Sequence, residues 1–240
     1  MATVLLLRHG QTSTNASGTL AGHQPVGLNE TGRAQAAAVG ARLAAAHLPL
    51  AAVVSSPLPR CRETLALALP DATVVEDERL IECRYGDWTG QSLKKLAKDP
   101  LWTVVQAHPS AARFPGVDAE SMTEMATRGV AAIRDWDTRV TAEHGPDAVW
   151  LACSHGDVIK AIVADALGLH LDLFQRIAVD PASITAIRYT PLRSFVLRSN
   201  DSGGDLAGYA PPKRRRRVSR KPSSDAAVGG GVGGGAGVEP

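Results

Sequence analysis

The sequence predicts an α/β fold: a three-layer sandwich in which helices cover both faces of a mostly parallel central sheet. Three observations carry this expectation. Short apolar runs at 3–7, 51–54 and 148–153 have the length of buried strands and are too short for helices. Stretches with helical patterning separate them, and strands that alternate with helices build covered parallel sheets. Each run ends in polar residues, at the strand edge where open α/β sheets bind ligands.

Taken in order, Thr3 to Leu7 form the first strand, followed by Arg8, His9 and Gly10, where a glycine lets the backbone approach a ligand. Residues 11–28 are rich in Thr, Ser, Asn, Gly and Pro and are expected as a long loop. Asn29 opens a helix through His47, with Leu43 and neighbouring alanines as its packing face. Ala51 to Ser55 is the second strand. Ser56 is expected as a hydroxyl N-cap, with Pro57 in the first turn of a helix ending near Leu69. Thr73 to Val75 is a short strand, and Arg79 to Gly90 is irregular. Residues 91–113 read as short helices broken at Pro100 and Pro109. From Glu120 to Glu143, Met122, Met125, Ile133, Trp136 and Val140 recur at helical spacing. Ala148 to Ser154 is the third strong strand, followed by His155, Gly156 and a helix from Val158 to Leu167. Ser183 to Tyr189 and Ser194 to Arg198 form a closing antiparallel pair.

The 240 residues, 44% of them apolar, suffice for one good-sized domain, and 4% aromatic content makes its core aliphatic. Composition divides the chain at residue 200. Residues 201–240 are a Gly-rich stretch with a basic block at 213–221, expected to be disordered because no core can be built from them. That tail has seven basic residues against four acidic ones, a net +3. With +2 for the whole chain, the body is left at −1. The body therefore lacks the basic character of a nucleic-acid binder. Only the block at 213–221 suits a polyanion, and a solvated tail is the commoner meaning of such a run.

No run reaches the ~18 apolar residues of a membrane span. The N-terminus has no basic segment of a secretory signal, so no membrane partner and a cytoplasmic location are expected. Cys61, Cys83 and Cys153 lack CxxC spacing and are expected as buried small hydrophobes. No histidine pair with carboxylates shows metal spacing, so neither a metal nor another cofactor is expected. The sequence carries no signal of an oligomeric state.

Parallel strands bring three strand ends together: Arg8-His9-Gly10, Ser55-Ser56 with Arg60 one turn on, and Ser154-His155-Gly156. Glu82 can stand beside them. Two arginines suit phosphate oxygens through their planar forks, and the helix N-terminus after His155 adds N–H groups and a favourable dipole. The composite is a pocket for a phosphoryl group with an imidazole placed to attack it. Asp135-Trp-Asp137-Thr resembles an aspartate-nucleophile phosphatase signature, but it lies inside a helix pattern rather than after a buried strand.

These residues also resemble a known family. Arg8-His9-Gly10 with Asn15, Leu28-Asn-Glu-Thr-Gly32, Ser55-Ser56-Pro57 with Arg60, Leu80-Ile-Glu82 with Gly86 to Gly90, and Ser154-His155-Gly156 match the histidine phosphatase superfamily, the phosphoglycerate mutase-like group, in its order. The resemblance covers about residues 3–198. It implies that His9 becomes phosphorylated, that Arg8, Arg60 and His155 surround the phosphoryl oxygens with Asn15 assisting, and that Glu82 protonates the leaving oxygen. Gly22 and Gly156 are expected to contribute to substrate binding. Asp157 is the alternative acid.

Within the family, mutases carry a lysine where this chain has Leu93 and an Arg-Arg pair that it lacks. Glu120, Ser121 and Arg128 also resemble the phosphatase branch. The expected activity is hydrolysis of a small phosphorylated metabolite through a phosphohistidine. A phosphoglycerate-type mutase is the alternative, and a non-catalytic phosphate-binding module is a third.

Overall fold

The computed structural model describes residues 2–203 and Gly229. Six strands, β1 (Thr3–Arg8), β2 (Leu50–Ser55), β3 (Val74–Glu76), β4 (Val149–Ser154), β5 (Ile184–Tyr189) and β6 (Ser194–Asp201), form one sheet in the order β3-β2-β4-β1-β5-β6. β3, β2, β4 and β1 run parallel, whereas β5 is antiparallel to both β1 and β6. The helices are α1 (Ser13–Ala16), α2 (Glu30–Ala46), α3 (Pro59–Ala68), α4 (Leu93–Leu96), α5 (Pro100–Ala107), α6 (Met122–His144) and α7 (Gly156–Ala166).

Side chains on a strand alternate between faces, and in β1 both faces are buried. Val4 and Leu6 join Trp150 and Ala152 of β4 under α6 and α7. Leu5 and Leu7 join Leu151 and Cys153 beneath α2 and α3. Each buried leucine contributes roughly 1.5–3 kcal/mol by leaving water. The two clusters therefore clamp β1 from both sides. β3 sits at an edge, and its three residues are exposed. A strand that short offers little template for unwanted pairing.

Register sets the site. Arg8 pairs with Ser154, and Ser55 pairs with Cys153, so three strands end at one level. There the turn after β1 passes close to the start of α2. A Cβ on Gly10 would lie 2.5 Å from the Gly32 carbonyl oxygen, and one on Gly32 would run into the Gln11 backbone. Asn29 caps α2 by accepting from the Gly32 amide at 2.8 Å.

Several expectations change at the element level. The loop at 11–28 contains α1, capped reciprocally by Thr12 and Asn15. Ser56 is not an N-cap: α3 begins at Pro59 after Leu58, because the Ser56 hydroxyl is 2.7 Å from His155 Nε2. Pro100 starts α5 behind an Asp99 cap rather than ending a helix. The closing strand runs past residue 200 to Asp201, whose carboxylate pairs with Arg42 at 2.8 Å and Arg198 at 2.7 Å. The expected disorder of 201–240 otherwise falls outside the described residues, apart from Asp201, Ser202, Gly203 and Gly229. No described helix is long and apolar enough to cross a membrane.

Candidate active site

His9 directly follows β1 and is 3% exposed. Its Nδ1 is 2.7 Å from the Gly10 carbonyl oxygen. A carbonyl can only accept, so Nδ1 carries the proton and Nε2 keeps its lone pair. Burial, then the positive charges of Arg60 and Arg8, hold the ring well below the usual histidine range. His9 is thus a neutral imidazole with one bare nitrogen, the form a nucleophile requires.

Arg8 is fully buried. It donates to the Val179 carbonyl at 2.8 Å and to the Gly229 carbonyl at 3.0 Å. Burial lowers it to about 10, against the pull of Glu82 and Asp157, which leaves it a cation at neutral pH. Arg60 stands in the first turn of α3. It donates to the Gly22 carbonyl at 2.8 Å, to the Gln24 carbonyl at 3.3 Å and through Nε to His155 Nδ1 at 3.2 Å. The last bond defines the second histidine. A guanidinium only donates, so His155 Nδ1 accepts, and its Nε2 proton points to the Ser56 hydroxyl. The His9 and His155 rings lie 5.2 Å apart between centroids.

An open cleft of about 420 Å³ meets these groups. His9, Asn15, Gly22, Arg60, Glu82 and Gly229 line it, along with Thr12, Thr14, Leu20, Ala21, Tyr85 and Leu93. Asn15 Oδ1 accepts from the Thr12 amide at 3.0 Å, which leaves its NH2 group as the end suited to donate to a ligand. Glu82 is 4% exposed, and its Oε1 accepts from the Cys83 amide at 2.9 Å. Burial and then the charge of Asp157 raise its carboxyl to about 7. It is therefore partly protonated at neutral pH.

The structure thus brings together His9, Asn15, Gly22, Arg60 and Glu82 on the cleft wall. Arg8 stands behind it and reaches it at Gly229. His155 and Gly156 are not among the residues that line the cleft. Both His155 nitrogens are engaged within the protein, one of them by Arg60. Gly22, on the cleft wall, contributes its carbonyl to Arg60.

Asp157 is fully buried, and its carboxylate accepts from Tyr85 Oη at 2.7 Å and from the Gly229 amide at 3.1 Å. It is not itself among the residues that line the cleft, but it holds Gly229, which is. Sequence reasoning missed His23, whose Nε2 donates to the Glu82 carbonyl at 2.7 Å, and the contact made by Gly229. No local pattern marks either one.

Comparison with known proteins agrees with this geometry. The chain is 35% identical over 175 residues to a glucosyl-3-phosphoglycerate phosphatase of Mycolicibacterium vanbaalenii, spanning 70% of this chain and 76% of the relative. It is 31% identical over 187 residues to a 2,3-bisphosphoglycerate-dependent phosphoglycerate mutase of Gloeobacter violaceus, spanning 75% and 82%. Among solved structures, a mycobacterial glucosyl-3-phosphoglycerate phosphatase in complex with VO3 superposes with a TM-score of 0.71 at 26% identity, covering 83% of this chain and 98% of that one. The family model for the histidine phosphatase superfamily (branch 1) matches residues 4–202, and the chain belongs to that family.

Proposed function

We propose that this enzyme hydrolyses small phosphomonoesters through a phosphohistidine on His9. The bare Nε2 of His9, on a cleft wall shared with Arg60 and Glu82, is the observation that carries the reading. Nε2 attacks phosphorus as the bond to the ester oxygen breaks, and the Glu82 carboxyl delivers its proton to that oxygen. Glu82, now a carboxylate, takes a proton from water as the water attacks the phosphohistidine. Orthophosphate leaves, and the enzyme returns to its starting state.

Arg8 and Arg60 offset the charge spread over the transferring oxygens, the largest need of such a reaction. The Asn15 amide adds a donor. His155, bonded to Arg60, completes the group placed around the phosphoryl oxygens. A cytoplasmic location belongs to the same reading and is consistent with three buried thiols that are all free.

Hydrolysis is favoured over phosphoryl transfer between phosphoglycerates by the lining of the cleft. Leu20, Ala21 and Leu93 belong to it, and Arg60 is the one arginine or lysine among the described lining residues. A second phosphate would find no second cation there. The relatives named for phosphatase activity on glucosyl-3-phosphoglycerate and on phosphoserine suggest a small phosphorylated metabolite as substrate. The test is phosphate release from an aryl phosphate with and without His9→Ala. A parallel incubation of 3-phosphoglycerate with 2,3-bisphosphoglycerate should give release of phosphate without isomer exchange. Release that survives His9→Ala overturns the reading, and isomer exchange reassigns the enzyme as a mutase.

A further inference from the structure

We propose that Arg128 and Glu120 are positioning residues that hold the general acid in place, an inference that rests on Glu82 being that acid. The segment carrying Glu82 is irregular. It lies between 3-10 turns at Glu78–Leu80 and Gly86–Trp88, so no strand or helix ladder fixes its backbone. His23 reaches the Glu82 carbonyl and Ser154 the Leu80 carbonyl, each at 2.7 Å, and one ion pair gathers most of the remaining polar groups.

Arg128, on α6, donates through NH1 to the carbonyls of Arg79 at 2.8 Å and Ile81 at 2.6 Å, and through NH2 to the carbonyl of Glu82 itself at 2.9 Å. Its remaining donors reach Glu120, Nε to Oε2 at 3.0 Å and NH2 to Oε1 at 2.6 Å. Glu120 in turn accepts from the Arg84 amide at 2.9 Å, and its own amide donates to the Arg84 carbonyl at 3.0 Å. The pair therefore grips the segment on both sides of Glu82. Neither residue is among those that line the cleft, and the pair reaches Glu82 through its backbone.

The chemistry of the pair fits this task and little else. Five donors in a rigid planar fork reach three carbonyls and a carboxylate at once, which the single ammonium of lysine cannot do. Both partners are largely withdrawn from water, with side-chain exposures of 19% for Arg128 and 9% for Glu120. Loss of the fork frees the Glu82 backbone to drift, and about 1 Å of misplacement can cost on the order of 10²-fold in a step that needs the displaced group.

That dependence gives the test a signature that a merely structural role lacks. A leaving phenol of low pKa departs without a proton, whereas an alkyl alcohol needs the acid. Arg128→Ala, Arg128→Lys, Glu120→Gln and Glu82→Gln are assayed on a nitrophenyl phosphate and on O-phosphoserine. The ratio of kcat/KM on the alkyl ester to kcat/KM on the aryl ester, which reports the step that expels the leaving group, should fall on the order of 10²-fold in Arg128→Ala. Arg128→Lys should not restore it, and added guanidinium ion should partly rescue Arg128→Ala.

Glu82→Gln separates the two layers of the argument. If it leaves the ratio unchanged, Glu82 is not the acid and both readings fall. If it lowers the ratio while the Arg128 and Glu120 variants lower both activities equally, or neither, only the positioning role is overturned. Failure of all three positioning variants to fold assigns the pair to stability alone and also overturns the proposal.

Discussion

At His9 and Glu82 the chemistry depends on where protons sit. The His9 tautomer follows from one bond to the Gly10 carbonyl, and the Glu82 carboxyl stands at about 7 because burial and then Asp157 oppose its charge. In the proposed reaction the protonated carboxyl is the reactive form for an alkyl ester. Turnover of O-phosphoserine should therefore decline as pH rises through about 7, and turnover of a nitrophenyl ester should show no such limb. The same shift bears on stability. A carboxyl raised from 4.5 favours the folded state fully below that value and loses the contribution as pH rises through about 7. Glu82→Gln should consequently be more stable than the native chain at pH 8, by roughly 1–3 kcal/mol in urea unfolding, with the difference vanishing below pH 4.5. Equal stabilities at pH 8 would contradict the assigned shift. His9 and Arg60 were legible in the sequence because one follows a strand end and the other opens a helix, whereas Glu82 lies in an irregular segment. The partners of His155 and the grip of Arg128 on three carbonyls were not, because they depend on pairs 46 to 99 residues apart that only the fold brings together.

At the scale of elements, helix starts were legible where a side chain is free to cap and obscure where it is not. Asn29 caps α2 as its position suggests. Ser56 has the same chemistry but turns its hydroxyl to His155, and α3 starts three residues later. Strand β1 and the start of α2 constrain each other through Gly10 and Gly32. Gly32→Ala would press a methyl group into the Gln11 backbone, two residues beyond His9. It should cost about 1–3 kcal/mol in urea unfolding and also lower kcat, because relief of the clash moves the turn that carries the nucleophile. Unchanged stability together with unchanged kcat would show that this contact does not constrain the site.

Across the whole molecule, the alternation of strands and helices was enough to foresee the layers and the closing antiparallel pair. The strand order that places β1 between β4 and β5 was not, since apolar runs alone do not state their neighbours. Gly229 was invisible in the same way. Composition marks its surroundings as unable to build a core, yet its carbonyl accepts from Arg8 and its amide donates to Asp157 at the cleft. A chain ending at Gly203 keeps all six strands and lacks that contact. It should bind orthovanadate more tightly than the full chain, and equal inhibition constants would show that Gly229 does not compete for Arg8. The central claim is that the phosphoryl group passes through His9, and trapping it is the direct measurement. Glu82→Gln is mixed with a nitrophenyl phosphate, quenched under alkaline conditions that preserve phosphohistidine, and mapped by peptide mass spectrometry. One acid-labile phosphoryl group on the peptide bearing His9 is the predicted result. Steady turnover with no phosphoryl group on that peptide, or with one on another residue, would contradict the account.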